Sequence, residues 1–277
     1  MTTDPGVADV LRRIVARRRR SVPPDAPEAG AAGGVAVPLA VEENPFLAAL
    51  AGRRGRAVIA EVKMGSPKLG SLAGRVDPLA QARLYARHGA AALSVVVEPE
   101  HFHGSYELLA ACREASGLPA LAKDFVVGVR QLAWAREAGA DAVLLIAALH
   151  PAEELARLAG RARSLGLAPL VECHADSDFD KLAGARWELA GINNRDLTRF
   201  EVDLERSARK LHRLPDEALK VAESGIAAAA DVGGGGGGAG GAGRGGGVGG
   251  GGGVVERGGG GAPLPGAGAL SVESGRG

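Results

Sequence analysis

The feature that most constrains the fold is a regular alternation of short apolar runs with segments of helical length. Runs such as Ala-Val-Leu-Leu-Ile at 142–146 have no polar alternation, which is typical of strands buried on both faces of a parallel sheet. Strands that alternate with helices of this length indicate βαβ units, and seven such units favour an α/β fold of the (β/α)8 TIM-barrel type. We predict strands near 58–63, 92–97, 119–123, 141–146, 168–172, 188–193 and 218–223, and helices near 78–88, 105–115, 128–138, 151–165, 175–183 and 203–213.

A doubly wound dinucleotide fold is disfavoured because no strand is followed by Gly-x-Gly-x-x-Gly. The chain has 277 residues, and α/β barrels of this length form one domain. Residues 1–41 are predicted to hold an N-terminal helix, near 5–20, and a flexible connection at 22–40, rich in Pro, Ala and Gly. The barrel itself is expected to occupy residues 42–232 as the catalytic domain.

The third segment, residues 233–277, departs from the pattern because 25 of its 45 residues are Gly. A barrel needs an eighth strand and closing helices here, but each Gly in a helix costs ~1 kcal/mol relative to Ala. No eighth strand or last helix is recognisable in this tract. Three explanations are open: a flexible tail, a frame-shifted or corrupted stretch of a GC-rich gene, or glycines standing in for unknown residues. The position of the break, inside an element that the barrel requires, favours the last two.

Charge and cysteine content exclude several classes of protein. The formal net charge is +1, which gives no general attraction to nucleic acid or membrane. The one strongly basic run, Arg17 to Arg20, is interpreted as a solvated helix end. Two distant cysteines, no apolar segment of ~20 residues and no signal-peptide core predict free thiols and a cytoplasmic protein without a membrane partner. We expect a monomer.

Polar residues stand where several of the predicted strands end. Glu61 and Lys63 lie two residues apart, so they share one face of the first strand while Ala60 and Val62 share the other. Four later strands also end in polar side chains: Lys123, Glu172, Asn193 and Glu223. The carboxyl ends of barrel strands converge on one mouth, so we predict an active site there. His101, His103 and His174 match no metal-ligand spacing and are interpreted as loop or mouth residues, so no metal is predicted.

Several motifs in this region resemble those of the indole-3-glycerol phosphate synthase family, in order and over residues 42–232. They are Glu61-Val62-Lys63 with Ser66-Pro67, Phe102-His103-Gly104-Ser105, Lys123-Asp124-Phe125, Val171-Glu172, Gly191-Ile192-Asn193-Asn194-Arg195-Asp196-Leu197 and Glu223-Ser224-Gly225-Ile226. The resemblance implies a TIM barrel that acts in tryptophan biosynthesis without a metal or organic cofactor. The implied substrate is a small phosphosugar-anthranilate compound, 1-(2-carboxyphenylamino)-1-deoxyribulose 5-phosphate, which loses carbon dioxide and water.

Catalytic roles follow from that chemistry and from the resemblance. The resemblance assigns proton donation to Lys123, and Glu172 suits the base that dehydration needs. Lys63 could hold the substrate carboxylate or share proton donation, with Glu61 fixing its ammonium, so either lysine could be the principal acid. Asn193 could orient Glu172 or a substrate hydroxyl.

Binding roles are also implied. Ser224 and Gly225 fit the half of a phosphate site that follows the seventh strand of such barrels, next to Glu223. The resemblance implies that Ser66 assists anion binding and that Phe102 lines the pocket for the aromatic ring of the substrate. Packing in the hydrophobic core is the alternative for Phe102. Arg195 could pair with a substrate anion or with Glu223. Two alternative functions stay open: a non-catalytic remnant that binds phosphate ligands, and another phosphosugar barrel such as a phosphoribosylanthranilate isomerase.

Overall fold

Eight strands form a closed barrel in the structure, a computed structural model that describes residues 9–25, 37–53, 57–67, 70–193, 209–223 and 253–257. Its strands are β1 (Ala57–Val62), β2 (Ala92–Val96), β3 (Ala120–Lys123), β4 (Ala142–Ile146), β5 (Ala168–Cys173), β6 (Leu189–Asn193), β7 (Leu219–Glu223) and β8 (Gly253–Arg257). Strands β1 to β7 pair in parallel with their sequence neighbours. The predicted barrel and its first seven strands are therefore confirmed.

Helices between the strands follow the prediction with two differences. They are α1 (Asp9–Ser21), α2 (Pro45–Ala51), α3 (Pro78–Arg87), α4 (Tyr106–Ser116), α5 (Val129–Glu137), α6 (Ala152–Ser164) and α7 (Asp176–Asp180). Helix α7 is shorter than the predicted 175–183, since its Asp and Ser residues are weak helix formers. Of the predicted helix at 203–213 only 209–213 lies in the described part, and it ends in a 3-10 turn, Leu211–Arg213, just before Leu214-Pro215.

Strand β8 fills the position for which the sequence offered no recognisable strand. It runs antiparallel to both neighbours, with Ile59 of β1 and Glu223 of β7 both opposite Gly253. A regular barrel is parallel throughout, so the eighth strand departs from that pattern. The pairing is possible because ladder hydrogen bonds need only backbone groups, and Val254 and Val255 are β-branched residues that favour strands.

Alternation along the strands divides the apolar side chains into two layers. One layer fills the barrel, and it includes Ile59, Leu121, Leu144, Leu170 and Val221. The other lies between the sheet and the helices, and it includes Val62, Val95, Leu145, Val171, Ile192 and the helical residues Leu109, Leu132 and Leu158. Both cysteines, Cys112 and Cys173, are free and belong to this outer layer, as the sequence predicted. The carboxyl end of the barrel interior is left to polar residues.

The N-terminal extension is fixed more firmly than its sequence suggested. Arg18, expected in a solvated helix end, is 6% exposed because its guanidinium pairs with the buried Asp124 at the end of β3. The predicted flexible connection is anchored at its described ends: Asp25 accepts from Val129 N at 3.0 Å, and Leu39 N donates to Glu188 at 2.8 Å. Residues 26–36 lie outside the described residues. No helix in the described ranges is long and apolar enough to cross a membrane.

Candidate active site

Glu61 binds two lysines at the carboxyl end of the barrel. Its Oε1 accepts a hydrogen bond from Lys63 Nζ at 3.0 Å, and its Oε2 accepts one from Lys123 Nζ at 2.9 Å. Ala60 and Val62 point the other way, into the layer beneath the helices. The alternation predicted for β1 is therefore present, and it brings the ends of β1 and β3 together through one carboxylate.

The charges in this triad stabilise one another. Burial alone would raise the pKa of Glu61, but the ammonium groups of Lys123 and Lys63 outweigh that effect and lower it to about 2. Burial would lower the pKa of Lys123, but the carboxylates of Glu61, Glu223 and Glu172 outweigh it and raise this pKa. The site therefore holds an ionised Glu61 and a charged Lys123 ammonium.

Glu172, at the end of β5, is held from two sides. Its Oε2 accepts a hydrogen bond from Asn193 Nδ2 at 3.1 Å, and its Oε1 lies 3.2 Å from His174 Nε2. Glu172 is 3% exposed, so its contacts are made with little competition from solvent. Cys173, the next residue in β5, packs on the opposite face of the strand. The arrangement presents a fixed carboxylate to the centre of the mouth.

Glu223, at the end of β7, completes the ring of polar residues. One of its oxygens lies 3.9 Å from Lys123 Nζ, and the side chain is buried. Burial raises the pKa of Glu223 well above its ordinary range, the Glu172 carboxylate raises it further, and Lys123 opposes the rise. Gly191 of β6 makes room for it, because a methyl group at that position would overlap Glu223 Oε1. The protonated form of Glu223 is therefore favoured where its carboxyl group meets that of Glu172.

The loop after β2 is shaped by a buried carboxylate. Glu98 accepts hydrogen bonds from three consecutive backbone amides, those of Glu100 at 3.1 Å, His101 at 2.7 Å and Phe102 at 2.9 Å. The ring of Phe102 lies 6.0 Å from that of Phe125, which follows β3. Both rings are partly exposed. The two rings therefore pair between the segments that follow β2 and β3.

Asp124, next to Lys123, anchors the end of β3 to the surrounding helices. Arg18 donates two hydrogen bonds to it: Nη2 donates to Oδ2 at 2.5 Å, and Nε donates to Oδ1 at 3.1 Å. Tyr106 OH and Gln131 Nε2 donate to Oδ2 at 3.0 and 2.9 Å. This network joins three helices to the strand end that carries Lys123.

The structure brings six of the predicted site residues together at the mouth: Glu61, Lys63, Lys123, Glu172, Asn193 and Glu223. Ser66 lies close to Lys63 in a two-residue strand, Gly65–Ser66, that pairs with Gly70–Ser71. Phe102 lies on the β2 loop, whereas Arg195, Ser224 and Gly225 lie outside the described residues.

Sequence reasoning gave no role to three residues that contribute to this geometry: His174, Glu98 and Phe125. The signal for His174 was its place two residues after Glu172, on the same face of the strand. Among the residues that the structure describes, no group of three or more His, Cys, Asp or Glu side chains is placed to hold a metal ion.

Comparison with known proteins identifies the family of this chain. The sequence model of the family described as indole-3-glycerol phosphate synthase matches residues 11–235. The chain belongs to the indole-3-glycerol phosphate synthase family. A relative of that name from Acidithiobacillus ferrooxidans is 40% identical over 230 residues, covering 82% of this chain and 88% of the relative. Another, from Leifsonia xyli subsp. xyli, is 44% identical over 217 residues, covering 78% and 81%.

Membership of the indole-3-glycerol phosphate synthase family makes the chain an enzyme of tryptophan biosynthesis that acts on a small molecule. The match begins at residue 11, inside α1, so the N-terminal helix belongs to the family's shared sequence. It ends at residue 235, near the start of the glycine tract.

Proposed function

We propose that this chain is a carbon-carbon lyase that converts 1-(2-carboxyphenylamino)-1-deoxyribulose 5-phosphate into indole-3-glycerol phosphate, carbon dioxide and water. The observation that carries the proposal is the ring of ionisable groups at one mouth, with two ammonium groups on Glu61 and a separate, fixed carboxylate at Glu172. Ring closure and dehydration need proton donors and a proton acceptor placed around one carbon atom. The ring supplies both kinds of group.

Lys123 is the proposed acid for ring closure. The arene carbon that bears the carboxylate attacks the substrate carbonyl, and the carbonyl oxygen takes a proton from the Lys123 ammonium as its negative charge develops. Neighbouring carboxylates raise the pKa of Lys123, so it enters the reaction charged and also stabilises the developing oxyanion. Loss of carbon dioxide then returns the bonding electrons to the ring.

Glu172 is the proposed base for dehydration. It removes the proton from the carbon next to the former carbonyl, while the hydroxyl group leaves with a proton as water. Lys63 is suited to hold the substrate carboxylate or to give that second proton, since it shares Glu61 with Lys123. Asn193 donates to Glu172 Oε2, which supports its orienting role.

Substrate binding is proposed to use the residues around this ring. Ser66 is proposed to contact an anionic group of the substrate, and Phe102 to line the pocket for its aromatic ring. Glu223 is proposed to contact the substrate next to Lys123. Arg195, Ser224 and Gly225 are proposed to contact the anionic groups of the substrate. The domain limits 1–41, 42–232 and 233–277 remain our proposal. We also propose a cytoplasmic location, supported by two free cysteines.

The test is turnover of this substrate by the full chain, followed as indole absorbance and fluorescence. We expect Glu172→Gln to lower kcat by roughly 10²–10⁴, the usual contribution of a positioned acid or base. Glu153→Gln, at an exposed position of α6, is the matched control and should keep normal activity. Normal turnover by Glu172→Gln would contradict the assignment.

A fully inactive but cooperatively folded wild-type chain would favour the remnant alternative. Turnover of phosphoribosylanthranilate in its place would favour the isomerase alternative.

A further inference from the structure

His174 occupies a position in the mouth that the catalytic scheme does not use. Its ring is 7% exposed and lies against the carboxylate proposed as the base: Nε2 is 3.2 Å from Glu172 Oε1. Asn193 Nδ2 binds the other oxygen at 3.1 Å. Each oxygen of Glu172 thus has its own side-chain neighbour, one from the loop after β5 and one from β6.

The backbone of His174 is fixed by a second buried group. Its N–H donates to Asp178 Oδ2 at 2.9 Å, and Asp178 is fully buried. Lys181 Nζ pairs with Asp178 Oδ1 at 3.2 Å and donates to the Ala147 carbonyl at 2.8 Å. Because these contacts join the ends of β4 and β5, they fix the backbone position from which the His174 side chain extends.

A repeated pattern underlies the arrangement. In β1, Glu61 is followed two residues later by Lys63, which binds its Oε1. In β5, Glu172 is followed two residues later by His174, which lies against its Oε1. Because residues i and i+2 along an extended strand end share a face, each pair places a side-chain nitrogen beside a carboxylate oxygen, at 3.0 Å for Lys63 and 3.2 Å for His174. Glu61 and Glu172 therefore each have a neighbouring nitrogen from their own strand end.

We propose that His174 is a positioning residue for Glu172 in the reaction proposed above, on which this role rests. Glu172 also faces the carboxyl group of Glu223 from β7 and the ammonium group of Lys123 from β3. His174 and Asn193 together fix the plane of that carboxylate, so the oxygen that accepts the proton is already aligned. A small misplacement of a reacting group can cost a large part of the rate.

The test compares variants that keep or remove a polar nitrogen beside Glu172. His174→Leu removes it at similar volume, whereas His174→Gln keeps an amide nitrogen. We expect His174→Leu to lower kcat by roughly tenfold to a hundredfold, because a misplaced base costs rate, with KM within about threefold of wild type. His174→Gln should recover most of the loss.

Binding and stability measurements separate positioning from a merely structural role. A substrate analogue whose carbonyl is reduced to an alcohol should bind His174→Leu with an unchanged Kd. If His174→Leu does not fold, His174→Asn serves in its place, because its amide ends too short to reach the Nε2 position beside Glu172 and so removes the contact while keeping a polar side chain. Equal losses in His174→Gln and His174→Leu, or a loss confined to KM or Tm, would overturn the role.

A double-mutant cycle shows whether His174 acts through Glu172. In the Glu172→Gln background, His174→Leu should cost less than about threefold in kcat, because the group that it positions is already gone. A full additive loss would overturn the role. Wild-type turnover with a normal His174→Leu variant refutes only the positioning role, whereas a wild type that lacks turnover refutes the proposed function as well.

Discussion

Lys123 Nζ lies 2.9 Å from Glu61 Oε2, although 62 residues separate the two in the chain. The contact joins the ends of β1 and β3, and the second oxygen of Glu61 is taken by Lys63. Two ammonium groups share one carboxylate, so these three side chains together carry a net positive charge that can contact an anionic group of the substrate. This relationship ties stability and the proposed catalysis to the same three side chains.

Replacing Lys123 should separate charge from proton donation. We expect Lys123→Met to lower kcat by about 10²–10⁴ because the acid is lost. Lys123→Arg should restore the charge but little of the rate, because a guanidinium does not release its proton. Steady-state kinetics measure both. Lys210→Met, which removes a lysine paired with the exposed Asp176, is the control and should behave as wild type. A fully active Lys123→Met variant would refute proton donation by Lys123.

Acid stability should depend on Glu61. Its pKa in the folded protein is about 2, below the ordinary 4.5, so the folded state favours the ionised form. The stabilisation is present above about pH 4.5 and is lost as the pH falls towards 2; it is on the order of 3 kcal/mol. Urea unfolding of wild type and Glu61→Gln at pH 6 and pH 3 measures it. The free energies of unfolding of the two proteins should differ less at pH 3 than at pH 6. An equal difference at both pH values would contradict the link between stability and ionisation of Glu61.

Glu223 should show the opposite dependence. Burial and the Glu172 carboxylate raise the pKa of Glu223 in the folded protein. Its contribution to folding stability is therefore present at low pH and declines as the pH rises above the ordinary pKa of a glutamate. Glu223→Gln keeps the shape and cannot ionise. Thermal unfolding should therefore show a gain of ~1 kcal/mol at pH 8, shrinking towards pH 5, together with lost activity. Glu217→Gln, at an exposed position, is the control. An equal gain in stability from Glu217→Gln would contradict a specific effect of the raised Glu223 pKa.

The N-terminal helix should depend on Arg18. Arg18→Met leaves the buried Asp124 with Tyr106 and Gln131 but without its cation, so we expect a loss of about 3–5 kcal/mol in the free energy of unfolding. Chemical denaturation measures this loss. Arg20→Met, at an exposed position of the same helix, should change stability by less than about 0.5 kcal/mol. Similar effects from the two variants would contradict a buried ion pair.

Much of this architecture was readable from the chain. Apolar runs with helical segments between them predicted β1 to β7, because strand burial on both faces leaves a direct mark on residue type. The shared face of Glu61 and Lys63 followed from the two-residue repeat of a strand. Segments with weaker local signals were harder: α7 is shorter than predicted, and β8 lies in a tract whose glycines carry no side-chain pattern.

The pattern of residue types was enough to predict the barrel type, its first seven strands and the kinds of side chain at their ends. Which of those side chains meet was visible only once the chain was folded. That Lys123 binds Glu61, that Arg18 is buried on Asp124, and that Asn193 binds Glu172 depend on how distant parts of the chain are brought together by the fold. Local patterns record whether a residue is buried, since burial selects its polarity, but they do not record its partner, since the partner comes from a distant part of the chain.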